Sequence, residues 1–383
     1  MEIEQKITDS IPRAGLAQIV QVLGYMASAE ESSTFEQVRL FLLKRSSRAA
    51  PSSKVAMWTV ARDVLIELQK LGYLEAGILP RTQSLAARHA DTPCRLTDAG
   101  RALANVCKES QGRAYDQLLI AWVNQHPYFR AFIARLHRAP LYVPDVTSSK
   151  QIGMEAGSDQ FADRIAAGCM KRLGTVAFSG AKADDFKRAI SDRVSDLGSA
   201  VKLSELDTKK LVDTVQDKVV LPAFLAVEEL NFDAVTFQHL LKFAKDYFAA
   251  SWTTSHPDFS VRVIYPTCEF RPALAEGTEV TEVVHHGKSF ARDRFVEALK
   301  AAYARAPKAA GAYADAYAVR ALVCIDLQIQ PRVFAACLRD LIAAGPTPEL
   351  TIYTELPFDP PPPGEEYLEI DRDRIGLLKL TTS

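Results

Sequence analysis

The chain has 383 residues, 48% of them apolar and 24% charged, and a formal net charge of -1. These shares match ordinary globular proteins and exclude wholesale disorder, and at roughly 100 to 200 residues per domain the length implies two to four units. The near-zero balance excludes a protein that is basic all over, and no run of about 18 apolar residues offers a membrane span. The start MEIEQKITDS is acidic and polar where a secretory leader needs a basic, then apolar, stretch, so a cytoplasmic location and no membrane partner are expected. Six cysteines at 94, 107, 169, 268, 324 and 337 form no CxxC pair, which predicts reduced, mostly buried thiols and no metal.

Charge is uneven along the chain. Phe35 to Arg101 carries 11 Lys and Arg against 6 Asp and Glu, whereas Glu349 to Ser383 carries 3 against 8. The two ends are therefore expected to meet different partners.

From the N-terminus, Leu16, Ile19, Val20 and Leu23 recur at helical spacing, with Pro12 in a first turn. Thr34 is placed to cap a second helix, FEQVRLFLLKR, that ends in the polar SSRAAPSS turn. Ser53 opens a third, striped by Trp58, Ala61, Leu65 and Leu68, with Asp63 and Glu67 on or near its outer face and Gly72 as its stop. YLEAGILP reads as a short strand, RTQSLAARHADTP as a basic loop and CRLT as a returning strand. DAGRALANVCKE then reads as a helix capped by Thr97 or Asp98, with Gly100 packed closely against the first helix.

GYLE, a variable loop and RLTDAGRALA together resemble the wing and following helix of bacterial winged-helix regulators of the MarR and PadR type, over about 90 residues. The resemblance implies that the third helix enters the major groove of double-stranded DNA while the wing tracks phosphates. Candidate DNA contacts are then Arg45 and Arg48 before the third helix, Lys54, Thr59 and Arg62 on it, and Arg81, Arg88 and His89 in the wing.

In the middle, Tyr115 to Arg138 is apolar at helical spacing, with a break at His126-Pro127. VTSSKQIGMEAGSDQFADRIAAGCMKRLG resembles a helix-turn-helix: Ser148 or Thr147 caps one helix, Gly153 permits close packing, Gly157 makes the turn, and Ser158 caps a second helix. Phe161 and Ile165 carry the packing there because Asp163 falls where an apolar side chain is usual. Lys150, Gln151, Gln160 and Arg164 are the exposed candidates for DNA contact in this unit. TVAFSG is expected to be a strand, Asp184 to Ala250 wholly helical, and SVRVIYPT to pair with EVTEVVHH around PALAEGTE.

At the C-terminus three helices, Phe290 to Arg305, Ala312 to Leu327 and Pro331 to Ala344, precede TIYTELPF, the stiff acidic loop DPPPPGEE and YLEIDRDRIGLLKLT, which again is winged-helix order. The acidic loop suits a protein partner better than phosphate.

No GxxxxGK[ST], GxGxxG or GxSxG motif occurs. His256, Cys268, His285 and His286 fit no metal-ligand spacing, and Asp184-Asp185 and Glu228-Glu229 suit solvation, so neither enzyme activity nor a cofactor is expected. The expected architecture is mainly α with small β wings: a winged-helix domain over 12–112, a helix-turn-helix-like unit over 113–182, a helical connector with a β-hairpin over 183–289, and a winged-helix-like domain over 290–383. The expected function is non-enzymatic binding of double-stranded DNA by a transcription regulator or a component of a DNA-processing or defence complex. The alternative is a scaffold or adaptor whose winged helices bind protein, the acidic C-terminal domain meeting the partner. A homodimer is consistent with either.

Overall fold

The computed structural model describes residues 14–28, 33–45, 52–75, 90–146, 160–177, 180–200, 207–275, 277–288, 292–348, 350–357, 360–362 and 365–381. The architecture is mainly α with sheets of two and three short strands, and among the described residues no single helix is long and apolar enough to cross a membrane. Contacts divide the chain into two units, one of residues 1–132, 239–249 and 270–283, the other of 133–238, 250–269 and 284–383.

In the first unit, α1 (Leu16–Met26) buries Leu16, Ile19, Val22 and Leu23. β1 (Ser33–Thr34) runs into α2 (Phe35–Arg45) through a reciprocal cap: Gln37 N donates to Thr34 Oγ1 at 3.3 Å, and Thr34 N donates to Gln37 Oε1 at 2.8 Å. The second helix therefore begins where a capping threonine was expected. α3 (Ser52–Lys70) buries Ala61, Val64, Leu65 and Leu68. It stops at Gly72, whose φ of +75° is a conformation that side chains with a Cβ seldom adopt.

β2 (Pro93–Cys94) pairs antiparallel with β1, and Leu74 bridges Leu96. Leu96 leads to α4 (Asp98–Glu109), capped by Thr97, whose Oγ1 accepts from Gly100 N at 3.0 Å and donates to Gly72 O at 2.7 Å. Gly100 is the close-packing point, but its neighbour is not the first helix. A Cβ there would sit 2.1 Å from the Tyr73 carbonyl oxygen and 3.3 Å from Leu96 Cβ, because the cap draws the start of α4 onto the end of α3. Gly100→Ala should cost about 2 kcal/mol through forced displacement of backbone, read as a lower midpoint of urea unfolding, whereas Ala99→Gly on the exposed side should cost less than half of that.

α5 (Gln111–Gln125) and α6 (Pro127–Arg138) meet at His126, the break expected from His126-Pro127. Trp122 stacks on Tyr247 with centroids 3.7 Å apart and meets Phe129 and Phe243 edge-on, pairs worth about 0.5 to 1.5 kcal/mol each beyond area burial.

The second unit holds a three-stranded sheet in which β5 (Arg262–Pro266) lies between β3 (Leu141–Val143) and β4 (Ala250–Thr253). This overturns the expected pairing of SVRVIYPT with EVTEVVHH: the strand facing β7 (Glu282–His285) is β6 (Cys268–Arg271), one strand further on. β5 is buried along almost its whole length, so it needs neighbours on both edges and takes the preceding strand, β4, on one and the sequence-distant β3 on the other.

α7 (Phe161–Ala177) packs on α8 (Ala181–Ala200), with Phe161, Ile165 and Ala166 buried and Asp163 exposed, as the shifted register requires. Thr175 to Ala177 continue α7 instead of starting a strand, and the helix penalty of β-branched residues is modest enough to allow it. Nor is 184–250 wholly helical. α9 (Thr208–Val215), a π-helical turn at Gln216–Val220 and α10 (Leu221–Val227) are followed by a turn at Glu229, with φ +58°, before α11 (Ala234–Asp246), and Phe248, also at φ +58°, ends the run ahead of β4.

In the C-terminal part, α12 (Arg292–Arg305), β8 (Ala314–Asp315), α13 (Ala316–Asp326), α14 (Pro331–Ala343), β9 (Thr351–Glu355) and β12 (Leu377–Thr381) surround a core that includes Phe295, Leu299, Val319, Val323, Phe334 and Leu338. The expected second helix is thus preceded by a strand, and Asp315 caps it by accepting from Tyr317 N at 2.8 Å. The sheet order is β8-β12-β9, and the small hairpin of β10 (Glu369–Ile370) and β11 (Asp373–Arg374) precedes β12.

Candidate nucleic-acid interface

Both ends of the basic segment 76–89 are held by backbone hydrogen bonds to the N-terminal sheet. Glu75 N donates to Arg95 O at 3.0 Å, Glu36 N to Ala90 O at 3.0 Å, and Phe35 N to Thr92 O at 3.0 Å. The described residues that flank this segment, Glu75 and Ala90, are thus fixed beside Arg95 and Glu36, and Arg81, Arg88 and His89 fall between them in the sequence. Those three residues themselves lie outside the described residues, as do Arg48, Lys150 and Gln151; Lys54 is in the first turn of α3, with its side chain outside them.

The candidates that are described differ in what they offer. Arg45 is exposed in the last turn of α2, its guanidinium 4.9 Å from the Phe41 ring centroid. Thr59 is half-buried on α3. Arg62 is turned aside: its Nε and Nη2 donate to Asp63 Oδ1 at 3.2 and 3.0 Å, and its side chain is only 20% exposed. Gln160 and Arg164 are exposed around the start of α7, with Arg164 Nη2 3.4 Å from Gln160 Oε1. They belong to the second unit, whereas Arg45, Thr59 and Arg62 belong to the first.

Glu67 departs most from expectation. It is not on or near the outer face of α3: it is fully buried, with Oε1 2.6 Å from Nε2 of the equally buried His126. At position 67 the helix turns toward the α5–α6 corner, where the imidazole supplies the partner that a buried carboxylate requires. Of the two acidic residues expected on or near that face, Glu67 is thereby withdrawn, and Asp63 is half-buried and paired with Arg62.

Arg39 was not foreseen as part of this construction. It bonds Glu36, with Nε to Oε2 at 2.7 Å, and lies 4.9 Å over the ring of Trp58, which itself stacks on Phe35 at 5.0 Å. The hydrogen bond from Arg39 holds the Glu36 carboxyl below its ordinary range. The three-residue spacing of Glu36 and Arg39 was the available signal; their contact with Trp58 was not visible before α2 and α3 packed.

Other charged groups also depart from their expected solvation. Glu228 is buried and accepts from Arg135 Nε at 2.8 Å and pairs with Lys182 at 2.5 Å, because α6, α8 and the end of α10 converge on it. His285 is half-buried on β7, and His286, also half-buried, faces Glu269 at 3.4 Å. Burial pushes the Cys94 thiol up to about 11 and those of Cys169 and Cys324 up to about 12, so they stay protonated at neutral pH. Among the described residues no group of three or more His, Cys, Asp or Glu side chains could hold a metal ion.

No protein-family model, no curated protein and no solved structure matches the chain. The functional reading therefore rests on topology and charge alone.

Proposed function

We propose that the chain is a non-enzymatic, cytoplasmic DNA-binding protein with winged helices at both ends, in which the N-terminal one contacts double-stranded DNA. The observation that carries this reading is strand order. β1, which lies between α1 and α2, the β2 segment and Leu74, both after α3, are arranged in the order first, third, second, and β8, between α12 and α13, with β12 and β9, both after α14, repeats that order. In such a unit the third helix and the loop between the last two strands face the duplex. At the N-terminal end that loop is basic and Glu67 is withdrawn from the helix face, both of which favour phosphate. At the C-terminal end the loop is acidic, and DNA contact is not assigned there. A transcription regulator or a component of a DNA-processing or defence complex would use such a site.

Fluorescence anisotropy with a random duplex across a salt series tests the reading. Arg45→Ala, Arg81→Ala and Arg88→Ala together should weaken binding by about tenfold or more and reduce the slope of log K against log salt by about 2 to 3. Arg62→Ala alone should have a smaller effect, since Asp63 already holds its guanidinium. Unchanged affinity and slope in the triple variant would reject the N-terminal interface.

A further inference from the structure

β9 hydrogen-bonds to β12 along one edge, with Ile352 opposite Leu380, Tyr353 opposite Lys379 and Thr354 opposite Leu378; among the described residues its other edge has no strand beside it. An unpaired edge of this kind is a template for a further strand. Within Thr351–Glu355 it is not blunted by a proline, and large apolar groups are exposed on and just after it: Tyr353 is 48% and Leu356, the next residue beyond the strand, 68% exposed. Beside the start of β9 lies a groove of about 770 Å³ whose apolar wall is formed by Val296 of α12, Leu341 and Ile342 of α14, Leu350 and Ile352. Val296, Ile342 and Ile352 are only partly covered by the C-terminal core they pack against.

The charges around this region narrow the occupant. On the groove rim, Arg292 and Lys300 offset Asp293 and Glu297. Beyond the groove, Glu355, Glu366, Asp371 and Asp373 are exposed against the exposed Arg372, while Glu369 and Arg374 engage each other at 3.2 Å and Arg374 lies 4.0 Å over the Tyr367 ring. An acidic surround of this kind repels phosphate and attracts Lys and Arg.

We propose that β9 and the adjoining groove dock an extended segment of a protein partner as an added strand, with apolar side chains at alternate positions entering the groove and Lys or Arg at the positions between. Alternation follows from the strand itself, since neighbouring side chains point to opposite faces of the sheet. Main-chain pairing supplies the attachment, and the groove and the acidic face supply the selection. This site is independent of the DNA interface at the other end of the chain.

The test uses the full chain and a displayed library of short peptides in which apolar positions alternate with Lys or Arg, followed by anisotropy with the enriched peptides made synthetically and labelled. Enriched peptides should bind at least about tenfold more tightly than versions N-methylated at alternate backbone nitrogens, which keep charge and side chains but lose edge pairing. Val296→Lys, with the side chain at the groove, should lower affinity by a similar factor, and the Arg81→Ala, Arg88→Ala variant should leave it unchanged. Absence of enrichment, equal binding of the N-methylated peptides, or displacement of the peptides by random duplex DNA would overturn the proposal. So would a concentration-dependent dimer of the chain that Val296→Lys abolishes, which would assign the edge to a second copy. The N-methylated peptides keep the result decisive even if Val296→Lys fails to fold.

Discussion

Glu365→Ala should destabilise the C-terminal part of the protein by about 3 to 5 kcal/mol, the range for removing one partner of a buried ion pair. Glu365 and Arg320 have side chains only 5% exposed and join at 2.7 Å, Nη2 to Oε2. The other carboxylate oxygen accepts from Thr253 Oγ1 at 2.6 Å, Thr254 N at 2.7 Å and Ser255 Oγ at 3.3 Å. A second guanidinium nitrogen donates to Glu366 O at 3.1 Å, and the Arg320 side chain lies 4.9 Å over Tyr317. One carboxylate therefore fixes the chain emerging from the acidic loop to both α13 and the end of β4. Alanine would remove an acceptor from four donors and leave the Arg320 charge buried without its counterion.

Urea unfolding followed by circular dichroism measures the loss. The double variant Arg320→Met, Glu365→Leu should regain only the part due to the stranded Arg320 charge, because the Thr253, Thr254 and Ser255 donors still lack their acceptor. A single-variant loss below about 1 kcal/mol would mean that the pair is hydrated and contributes like a surface bridge.

The second large effect is expected at Glu67. Its carboxylate meets His126 at 2.6 Å, and around it His126 Nδ1, Trp122 Nε1 and Tyr247 Oη are buried without a hydrogen-bond partner among the described residues. The pair is thus the main polar anchor in an aromatic cluster, and it ties α3 to the α5–α6 corner. Glu67→Ala should cost about 3 kcal/mol, and Glu67→Gln, which keeps a hydrogen-bonding oxygen, about half of that. Hydrogen exchange distinguishes local from global loosening: α3 amides should exchange faster in Glu67→Ala, while those of α13 and α14 in the other unit should be unaffected. Equal acceleration in both units would contradict a local anchor.

The residues involved show where reading the sequence works. The cap at Thr34, the cap at Thr97, one of the two residues expected there, the stop at Gly72 and the break at His126 each depend on groups within a few positions of one another, and each is found. Phe161, Ile165 and exposed Asp163 follow in the same way from helical spacing. For the candidate interface, the sequence placed basic residues on and around the third helix and in the segment after it, and the described hydrogen bonds at Glu75 and Ala90 fix the residues that flank that segment.

What failed was mainly non-local. β5 took the distant β3 as one of its two neighbours, Glu67 found His126 at a separation of 59 residues, and Arg135 found Glu228 at a separation of 93. Arg62, equally basic in the sequence, was turned aside by its own neighbour Asp63. A charged residue reads the same in a sequence whether water or a buried counterion surrounds it, and a strand reads the same whichever edge it joins. Spacing along the chain therefore determined the helices, their caps and their stops, since those are set by hydrogen bonds and side-chain periods only a few residues long. Strand partners, buried charge pairs and the edge position of β9 among the described strands were decided by tertiary packing, because only the assembled core establishes which surfaces lose water and which groups must pair when they do.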